Sequence, residues 1–518
     1  MTPKSADHHC PPDRRKYVLF VSILASALGF IDGSVVSIAI PKIRASLDAS
    51  FAEAQWISNS YILLLSAFIL VGGAAGDRFG IRRTFAFGIA CFIAASVLCA
   101  FAWSANTLIV FRALQGMGAA IMVPGSMSLI ARNFPRDQRG KALGVWVAAS
   151  SITTAMGPVL GGFILSQFSG EIWRAIFAIN LPLGALALLL LWWKVPDDAP
   201  RERKRLDVAG AVFITLSLGA IAGGLTFFGE ARAALGESQT ASLLALGLLG
   251  AGLVLLVVAL WWEYRTPHAI VDLQLFRDSN FWGGNLYTFM VWMGLGTLFF
   301  FLPMTLVVGW QLNELYAGAM FLPFSLLIAI LSPIVGRYVD RLGPRPFLLA
   351  GGFLSTLGYF GMGLSVMAQN YWTGVLPSLL LIGMSLGLAG STVAVAVLAS
   401  VPDDKSGSAS GMNNMVARMS GMLGIAGFGI LISVIYTASV ASSALPADIA
   451  ALVAQAGFGE RLTGGLYQIS TQQVQSDAMN SALAAVCFGL SLACLLATVI
   501  AWWTISAQMG DEAESSEA

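Results

Sequence analysis

Residues 73–82 read GAAGDRFGIR, and residues 336–345 read GRYVDRLGPR. Both stretches follow the pattern G-x-x-x-D-R-x-G-x-R, and each comes directly after a long apolar run. The second stretch begins 263 residues after the first (336 − 73). A motif that returns at matched positions beside matched apolar runs predicts a chain built from two similar halves.

The composition around these motifs is that of a membrane protein. Hydrophobic residues make up 57% of the 518 residues and charged residues only 11%, with a mean hydropathy of +0.77. An ordinary soluble domain carries roughly 25% charged residues. The formal net charge of +1 gives no reason to expect a nucleic-acid partner. The expected partner on these grounds is the lipid bilayer.

Apolar runs of about 20 residues, the length that crosses roughly 30 Å of hydrocarbon, recur along the whole chain. We predict an all-α membrane protein of about fourteen transmembrane helices, because no alternating barrel strands are evident. Two six-helix bundles related by internal duplication and two additional central helices account for this number. The predicted segments are an N-terminal tail at 1–16, a first bundle at 17–195, the two central helices at 206–264, a second bundle at 281–507 with a long loop at 437–480, and an acidic tail at 508–518.

Basic residues distinguish the two sides of the membrane. Most of them lie in the loops that share a side with the N-terminus, and few lie in the other loops. Because cytoplasmic loops are enriched in Lys and Arg, we expect both termini to be cytoplasmic and the 437–480 loop to be external. The predicted location is the cell (inner) membrane.

The repeated loop motif predicts a conformational gate on the cytoplasmic side. Its aspartates can pair with arginines or helix N-termini, and its glycines allow tight turns and close helix packing. A bland alternative is that the basic residues only anchor the loops. The residues assigned to the gate are Gly73, Asp77, Arg78, Gly80, Arg82, Asp340 and Arg341.

Charged side chains inside predicted spans are costly in lipid and point to function. Asp32 is the only carboxylate well inside a predicted span, roughly 12 Å from its outer end. Arg112 lies roughly 8 Å from the same face, so the two side chains could share one cavity. We expect Asp32 to be the proton-coupling carboxylate and Arg112 to tune it, with a purely structural ion pair as the alternative. Arg418 lies near midplane, and the sequence indicates no partner for it.

Two further sets of residues complete the predicted site. The fifth span contains Gly157, Pro158, Gly161 and Gly162, a run that allows close packing and a bend. Aromatic and polar residues elsewhere are candidates for a substrate cavity, although lipid-facing or structural positions are the plainer reading. These candidates are Tyr61, Tyr287, Trp292, Asn413, Asn414 and Arg418.

On these motifs the chain resembles the fourteen-helix drug:proton antiporter branch of the major facilitator superfamily. The resemblance rests on five stretches, which are 31–41, 55–61, 73–83, 112–118 and 173–184, together with the run in the fifth span. It implies proton-coupled antiport, with the arginine of the fourth-span motif, here Arg112, linked to proton transfer. The fifth-span run implies export and not uptake.

The chain departs from the branch at three points. Ile81 replaces a usual basic residue of the loop motif, and Thr153 stands where the antiporter motif often has its first glycine. A second acidic residue in a later span, common in exporters of divalent cations, is missing from the sequence. The last departure favours monovalent or neutral lipophilic substrates over dications.

The leading hypothesis is export of amphipathic drugs or biocides, and the alternative within transport is export of a native metabolite, siderophore or lipid-like compound. A membrane sensor or enzyme is the alternative from another class. The three histidines lie outside the predicted spans, and no nucleophile–base set or P-loop is present. We therefore predict no catalytic residues, no metal and no cofactor, and the sequence does not identify accessory subunits.

Overall fold

The first helices show how the sequence sets the helix ends. In the computed structural model, α1 (Pro12–Leu47) has proline at its first position, where the fixed φ favours helix. It ends at Asp48, which has a left-handed φ of 49°. Ser50 and Glu53 then form a capping box that begins α2 (Phe51–Phe79). Gly80, with φ 93°, ends α2, because a residue with a β-carbon rarely adopts that conformation.

The structure describes residues 11–167, 170–197, 207–233, 239–266, 271–402, 405–462 and 469–506, apart from some side chains within helices. The remaining helices are α3 (Ile81–Ala100), α4 (Ala105–Asn133), α5 (Arg136–Gln167), α6 (Ala175–Ala178), α7 (Asn180–Lys194), α8 (Val208–Ala233), α9 (Gln239–Arg265), α10 (Ser279–Met304), α11 (Glu314–Ala319), α12 (Leu322–Leu342), α13 (Arg345–Met367), α14 (Leu376–Ala399), α15 (Ser406–Ala441), α16 (Ala447–Ala456) and α17 (Ile469–Thr504).

Within these residues, thirteen helical segments are long and apolar enough to cross a membrane. Four of them join consecutive helical pieces, as α6 and α7 do within Ile172–Lys194. The 32-residue α5 adds a further helix of spanning length, about 48 Å at 1.5 Å per residue. The predicted fold class, an all-α membrane protein of about fourteen helices, is confirmed.

The helices form two bundles. We call α1–α7 the N-terminal bundle and α10–α17 the C-terminal bundle. One apolar core, with buried side chains from Val18 to Val195, lies wholly in the N-terminal bundle. A larger core centred on the C-terminal bundle also takes in residues of α1 and α2, such as Val35 and Ile57. The bundles are therefore packed against each other and do not only share a linker.

The two additional helices occupy different environments. The Thr226 hydroxyl of α8 donates to the Gln55 side chain of α2, and Gly229 of α8 lies against Ile430 of α15. Helix α8 thus contacts both bundles. Helix α9 packs on α8 and directs exposed side chains such as Leu243 and Val257 outward, as expected for a lipid-facing helix.

The predicted loop at 437–480 is too wide. Helix α15 continues to Ala441 and α17 begins at Ile469, so the intervening segment is 442–468 and contains α16. The polar start of α17 stays helical because its side chains have partners in the protein. The Gln475 amide donates to the Glu460 carbonyl at 2.7 Å, and Asn480 accepts from the Trp310 indole at 2.9 Å.

Candidate functional site

A buried charge cluster surrounds Asp32 in the N-terminal bundle. Asp32 of α1 and Arg112 of α4 are 0% and 1% exposed, and the Arg112 guanidinium donates to Asp32 Oδ2 in a direct ion pair. Gln115 Nε2 donates to Asp32 Oδ1 at 2.8 Å, and Asn180 Nδ2 donates to the same oxygen at 3.1 Å. Both carboxylate oxygens are therefore held by donors away from the protein surface.

Arg112 is itself fixed on several sides. Its Nε donates to the Ile57 carbonyl at 3.2 Å, and its NH1 donates to Gln115 Oε1 at 2.6 Å. Its Cζ lies 4.3 Å from the centroid of the Tyr61 ring and 5.7 Å from that of Phe177. The planar guanidinium fork and its stacking on an aromatic face are features that lysine cannot reproduce.

Ser96 of α3 joins the cluster and completes its polar lining. Its hydroxyl oxygen accepts from Gln115 Nε2 at 2.7 Å and from Asn180 Nδ2 at 2.9 Å. The sequence motifs included Gln115 and Asn180 but did not assign them to the site, and Ser96 was missed. Gln115 had a signal in the sequence, because its three-residue spacing from Arg112 puts both side chains on one helix face. Four helices thus meet at Asp32.

The repeated loop motif makes the same contacts in both bundles. Arg82 NH2 donates to the Trp192 carbonyl at 2.7 Å, and Arg345 NH2 donates to the Trp502 carbonyl at 2.6 Å. Both guanidiniums also lie over the ring of the tryptophan they bind. In each half the last arginine of the motif therefore ties the loop to the final long helix of its own bundle. We call the end of the molecule with these loops the motif end and the opposite end the far end.

Other gate candidates differ in their surroundings. Gly343, like Gly80, ends its helix at a positive φ, 75° and 93° respectively. Arg78 and Arg341 are exposed. The side chains of Asp77 and Asp340 lie outside the described part of the chain.

Close packing at the motif loop occurs one residue earlier than expected. A β-carbon on Gly72 would lie 2.2 Å from the Ala120 carbonyl oxygen, whereas one on Gly73 would meet nothing closer than 3.8 Å. The glycine requirement for close helix approach therefore falls on Gly72, because its position on α2 faces the α4 backbone.

The glycine run of α5 lies between the two bundles. A β-carbon on Gly157 would lie 1.9 Å from Ser34 Oγ of α1, and one on Gly161 would lie 2.5 Å from Val35. A β-carbon on Gly162 would lie 2.3 Å from the Glu314 carbonyl oxygen of α11. One glycine pair of α5 thus faces its own bundle, and the next residue in the run faces the other bundle.

Polar contacts join the bundles at the far end. Lys42 of α1 and Arg461 both pair with Glu314, with N–O distances of 3.5 and 2.9 Å. Arg44 of α1 donates to the Phe458 carbonyl at 2.6 Å and to Glu460 Oε2 at 2.9 Å. We call Lys42, Arg44, Glu314, Glu460 and Arg461 the far-end latch. In this state the two bundles are closed against each other at the far end.

The candidate cavity residues separate into different environments. Tyr287 does not line a cavity, because it is fully buried and its hydroxyl donates to the Leu348 carbonyl within the C-terminal bundle at 2.9 Å. Asn413 accepts from the Thr288 hydroxyl of α10 at 2.8 Å. Trp292 packs against the larger apolar core, to which Tyr287 also belongs. Asn414 is exposed.

Tyr61 and Arg418 remain as candidates on α2 and α15, two helices of different bundles that pack against each other. Tyr61 is 3% exposed and its hydroxyl is 3.5 Å from the Gly29 carbonyl, a long contact. Arg418 Nε is inaccessible, and no atom in the described part of the chain forms a hydrogen bond with it.

The amino-acid sequence matches a known family and several characterised members of it. The family model described as Major Facilitator Superfamily matches residues 22–425. The chain is 30% identical over 432 residues to the multidrug resistance protein Stp of Mycobacterium tuberculosis (strain CDC 1551 / Oshkosh), covering 80% of this chain and 76% of that protein. It is 31% identical over 436 residues to the tetracenomycin C resistance and export protein of Streptomyces glaucescens, covering 82% and 78%.

A solved structure has the same fold. A bacterial homologue of the human lysosomal transporter Spinster, in an inward-facing and unoccupied conformation, superposes with a TM-score of 0.66. The alignment covers 97% of this chain and all of that one at 16% identity. At this identity the likeness concerns the fold alone.

Proposed function

Because the chain belongs to the Major Facilitator Superfamily and is a multi-pass membrane transporter, not an enzyme, we propose that it is a proton-coupled antiporter. It exports small amphipathic organic compounds, such as drugs or biocides, by alternating access. The names of two relatives, a multidrug resistance protein and a resistance and export protein, support this substrate class.

The buried Asp32–Arg112 pair is the observation on which the proposal rests. A proton-driven antiporter needs a group that binds H⁺ in one state and releases it in another. Asp32 is fully buried and its donors come from two other helices, α4 and α7, so a movement of those helices relative to α1 changes the donors around it. Fewer donors favour the protonated carboxyl, and the full set favours the carboxylate. Exchange follows from this difference in proton affinity between states.

Alternating access needs contacts that form and break at the two ends of the bundles. The far-end latch and the α5–α11 packing hold the far end shut in this state. With both termini and the motif end cytoplasmic, the far end faces the exterior. The structure then corresponds to a state closed to the outside, and the glycines of α5 set how closely the bundles approach there.

The topology has its own test. A cysteine introduced for Ala447, at the start of α16, belongs to the far-end segment. An impermeant maleimide added to intact cells is expected to label it. Labelling that appears only after lysis would reverse the proposed orientation.

Proton-gradient-dependent dye efflux in inside-out vesicles tests the function. Wild-type vesicles with an acidic lumen are expected to accumulate dye, and collapse of the gradient is expected to stop accumulation. Asp32→Asn is expected to accumulate none. Asp13→Asn, which removes an exposed carboxylate at the start of the same helix, is the matched control and is expected to behave as wild type. Accumulation by the Asp32 variant, or accumulation insensitive to the gradient, would contradict proton-coupled antiport.

A further inference from the structure

Arg418 lies on the face of α15 that packs against α2. A β-carbon on Gly411 would lie 1.9 Å from Leu70 of α2, and one on Gly429 would lie 2.3 Å from Gln55 of α2. At 3.6 residues per turn, positions 411, 418 and 429 share one helix face. Arg418 therefore extends toward α2 between the levels of Gln55 and Leu70, at the contact of the two bundles.

Arg418 carries a charge for which the described residues provide no counter-ion. Among the residues that the structure describes, no side chain forms an ion pair or hydrogen bond with it, and its Nε is fully enclosed. Arg112, the other arginine inside the bundles at this region, is neutralised by Asp32. A cation withdrawn from water without an anion is costly, and an anion that binds beside it recovers part of that cost.

Tyr61 of α2, at a level between Gln55 and Leu70, supplies a second polar group. The contact of its hydroxyl with the Gly29 carbonyl, at 3.5 Å, is long for an O–H donor. The hydroxyl can therefore turn to an incoming acceptor at little cost. A guanidinium and a phenol hydroxyl together match a carboxylate or another ionised oxygen.

The approach to Arg418 runs from the motif end. Asn414, one helical turn nearer to that end on α15, is exposed. Arg418 keeps part of its own surface accessible, whereas Met415 and Met422 beside it on α15 are buried. The motif end is therefore the side from which we expect a ligand to reach the Arg418 guanidinium.

We propose that Arg418, assisted by Tyr61, is the specificity-determining group for substrates that carry an ionised acidic oxygen, such as a carboxylate or phenolate, on an amphipathic ring system. This inference rests on the proposed export function and names its substrate class. It makes an aromatic acid a better ligand than the matching neutral or cationic compound. The Asp32–Arg112 pair then carries the proton, and Arg418 carries the contact with substrate.

Binding of pyrenebutyric acid and pyrenebutanol, which differ only at the acid group, tests the inference. Transfer of excitation from protein tryptophans to pyrene reports binding to the purified chain near neutral pH. Wild type is expected to bind the acid at least about tenfold more tightly than the alcohol, the range of a charge-assisted hydrogen bond. Arg418→Gln is expected to lose this preference and Arg418→Lys to keep part of it. Arg265→Gln, which removes an exposed arginine, is the control and is expected to keep the full preference.

Equal binding of the two compounds by wild type, or no detectable binding of either, would overturn the inference. So would a full preference for the acid in a folded, monodisperse Arg418→Gln protein. If the Arg418→Gln variant does not fold, the test uses the Arg418→Lys protein. A preference for the acid as strong as that of wild type would then overturn the role of the guanidinium. Asp32→Asn separates the two proposals, because it is expected to keep the preference for pyrenebutyrate while losing proton-driven transport.

Discussion

The Arg112 guanidinium lies over the Tyr61 ring, with Cζ 4.3 Å from the ring centroid. Arg112 also holds the Asp32 carboxylate, and Tyr61 lies on α2, the helix toward which Arg418 of the C-terminal bundle extends. Tyr61 therefore connects the proposed proton site to the helix that faces the proposed substrate group. A shift of α15 against α2 would act on Tyr61 and, through its ring, on Arg112.

Replacing Arg112 by lysine tests whether the guanidinium geometry matters beyond its charge. Lysine keeps the charge but cannot bind Ile57, Gln115 and Asp32 together. We expect the initial rate of proton-driven dye efflux to fall at least about tenfold, since charged hydrogen bonds of this kind each contribute about 1.5–3 kcal/mol. Efflux rates normalised to the amount of folded protein measure this. The matched Arg265→Lys change, on an exposed arginine, should leave the rate as it is, and an unchanged rate for the Arg112 variant would refute the geometric role.

The Gly162→Ala substitution tests how the bundles close at the far end. The added methyl would lie 2.3 Å from the Glu314 carbonyl oxygen, so the closed state is expected to become less populated. Spin labels at Phe101 and Met367, two exposed positions at the far ends of α3 and α13, report the distance between the two bundles by double electron–electron resonance. The distance distribution should shift to longer values. Gly144→Ala, on the same helix with nothing within 4 Å, is the control, and an equal shift in both variants would argue against the steric cause.

The far-end latch is expected to depend on pH through Glu460. Burial raises the pKa of the Glu460 carboxyl, Arg44 opposes this by lowering it, and Asp48 adds to the rise. The closed state therefore binds a proton more readily than a state in which Glu460 is solvated. Lower pH should favour closure, and this stabilisation should be lost as pH rises through the raised pKa. The same spin-label pair in an Asp32→Asn background measures the effect, and Glu460→Gln should flatten the pH dependence. The opposite slope would show that the Arg44 ion pair dominates.

The Asp77→Asn substitution separates conformational exchange from substrate affinity. Asp77 lies in the last turn of α2 at the motif end, about four turns along the helix from Tyr61. Transport should slow while equilibrium binding of pyrenebutyrate stays within a few-fold of wild type. Asp340→Asn should act alike, because the motif is repeated. A large loss of binding by a well-folded Asp77 variant would place this residue in the substrate site instead.

The sequence predicted the fold class because apolar length and the repeated motif are local properties of the chain. It also predicted that Asp32 and Arg112 could meet, since both lay at comparable depths from one face. It missed Ser96, because a serine inside an apolar helix has no signal until a neighbouring helix directs donors at it. It placed Tyr287 in a cavity, since a sequence cannot tell which face of α10 its own bundle covers.

The far-end latch could not be predicted for a related reason. Arg44 binds carbonyl groups more than 400 residues away in the chain, and nothing local to Arg44 or to Phe458 indicates the other. The extent of α17 was missed because its first turns are polar. Four of those polar side chains, Thr471, Gln475, Ser476 and Asn480, are buried within the protein.

Proton release on substrate binding tests most directly the claim that Asp32 couples transport to protons. A transported dye is added in excess to purified protein in weakly buffered detergent solution, and the change in pH is recorded. Wild type is expected to release protons. Asp32→Asn is expected to release none while it still elutes as a folded monodisperse species. Proton release by the Asp32→Asn protein equal to that of wild type would contradict the account and place the coupling group elsewhere.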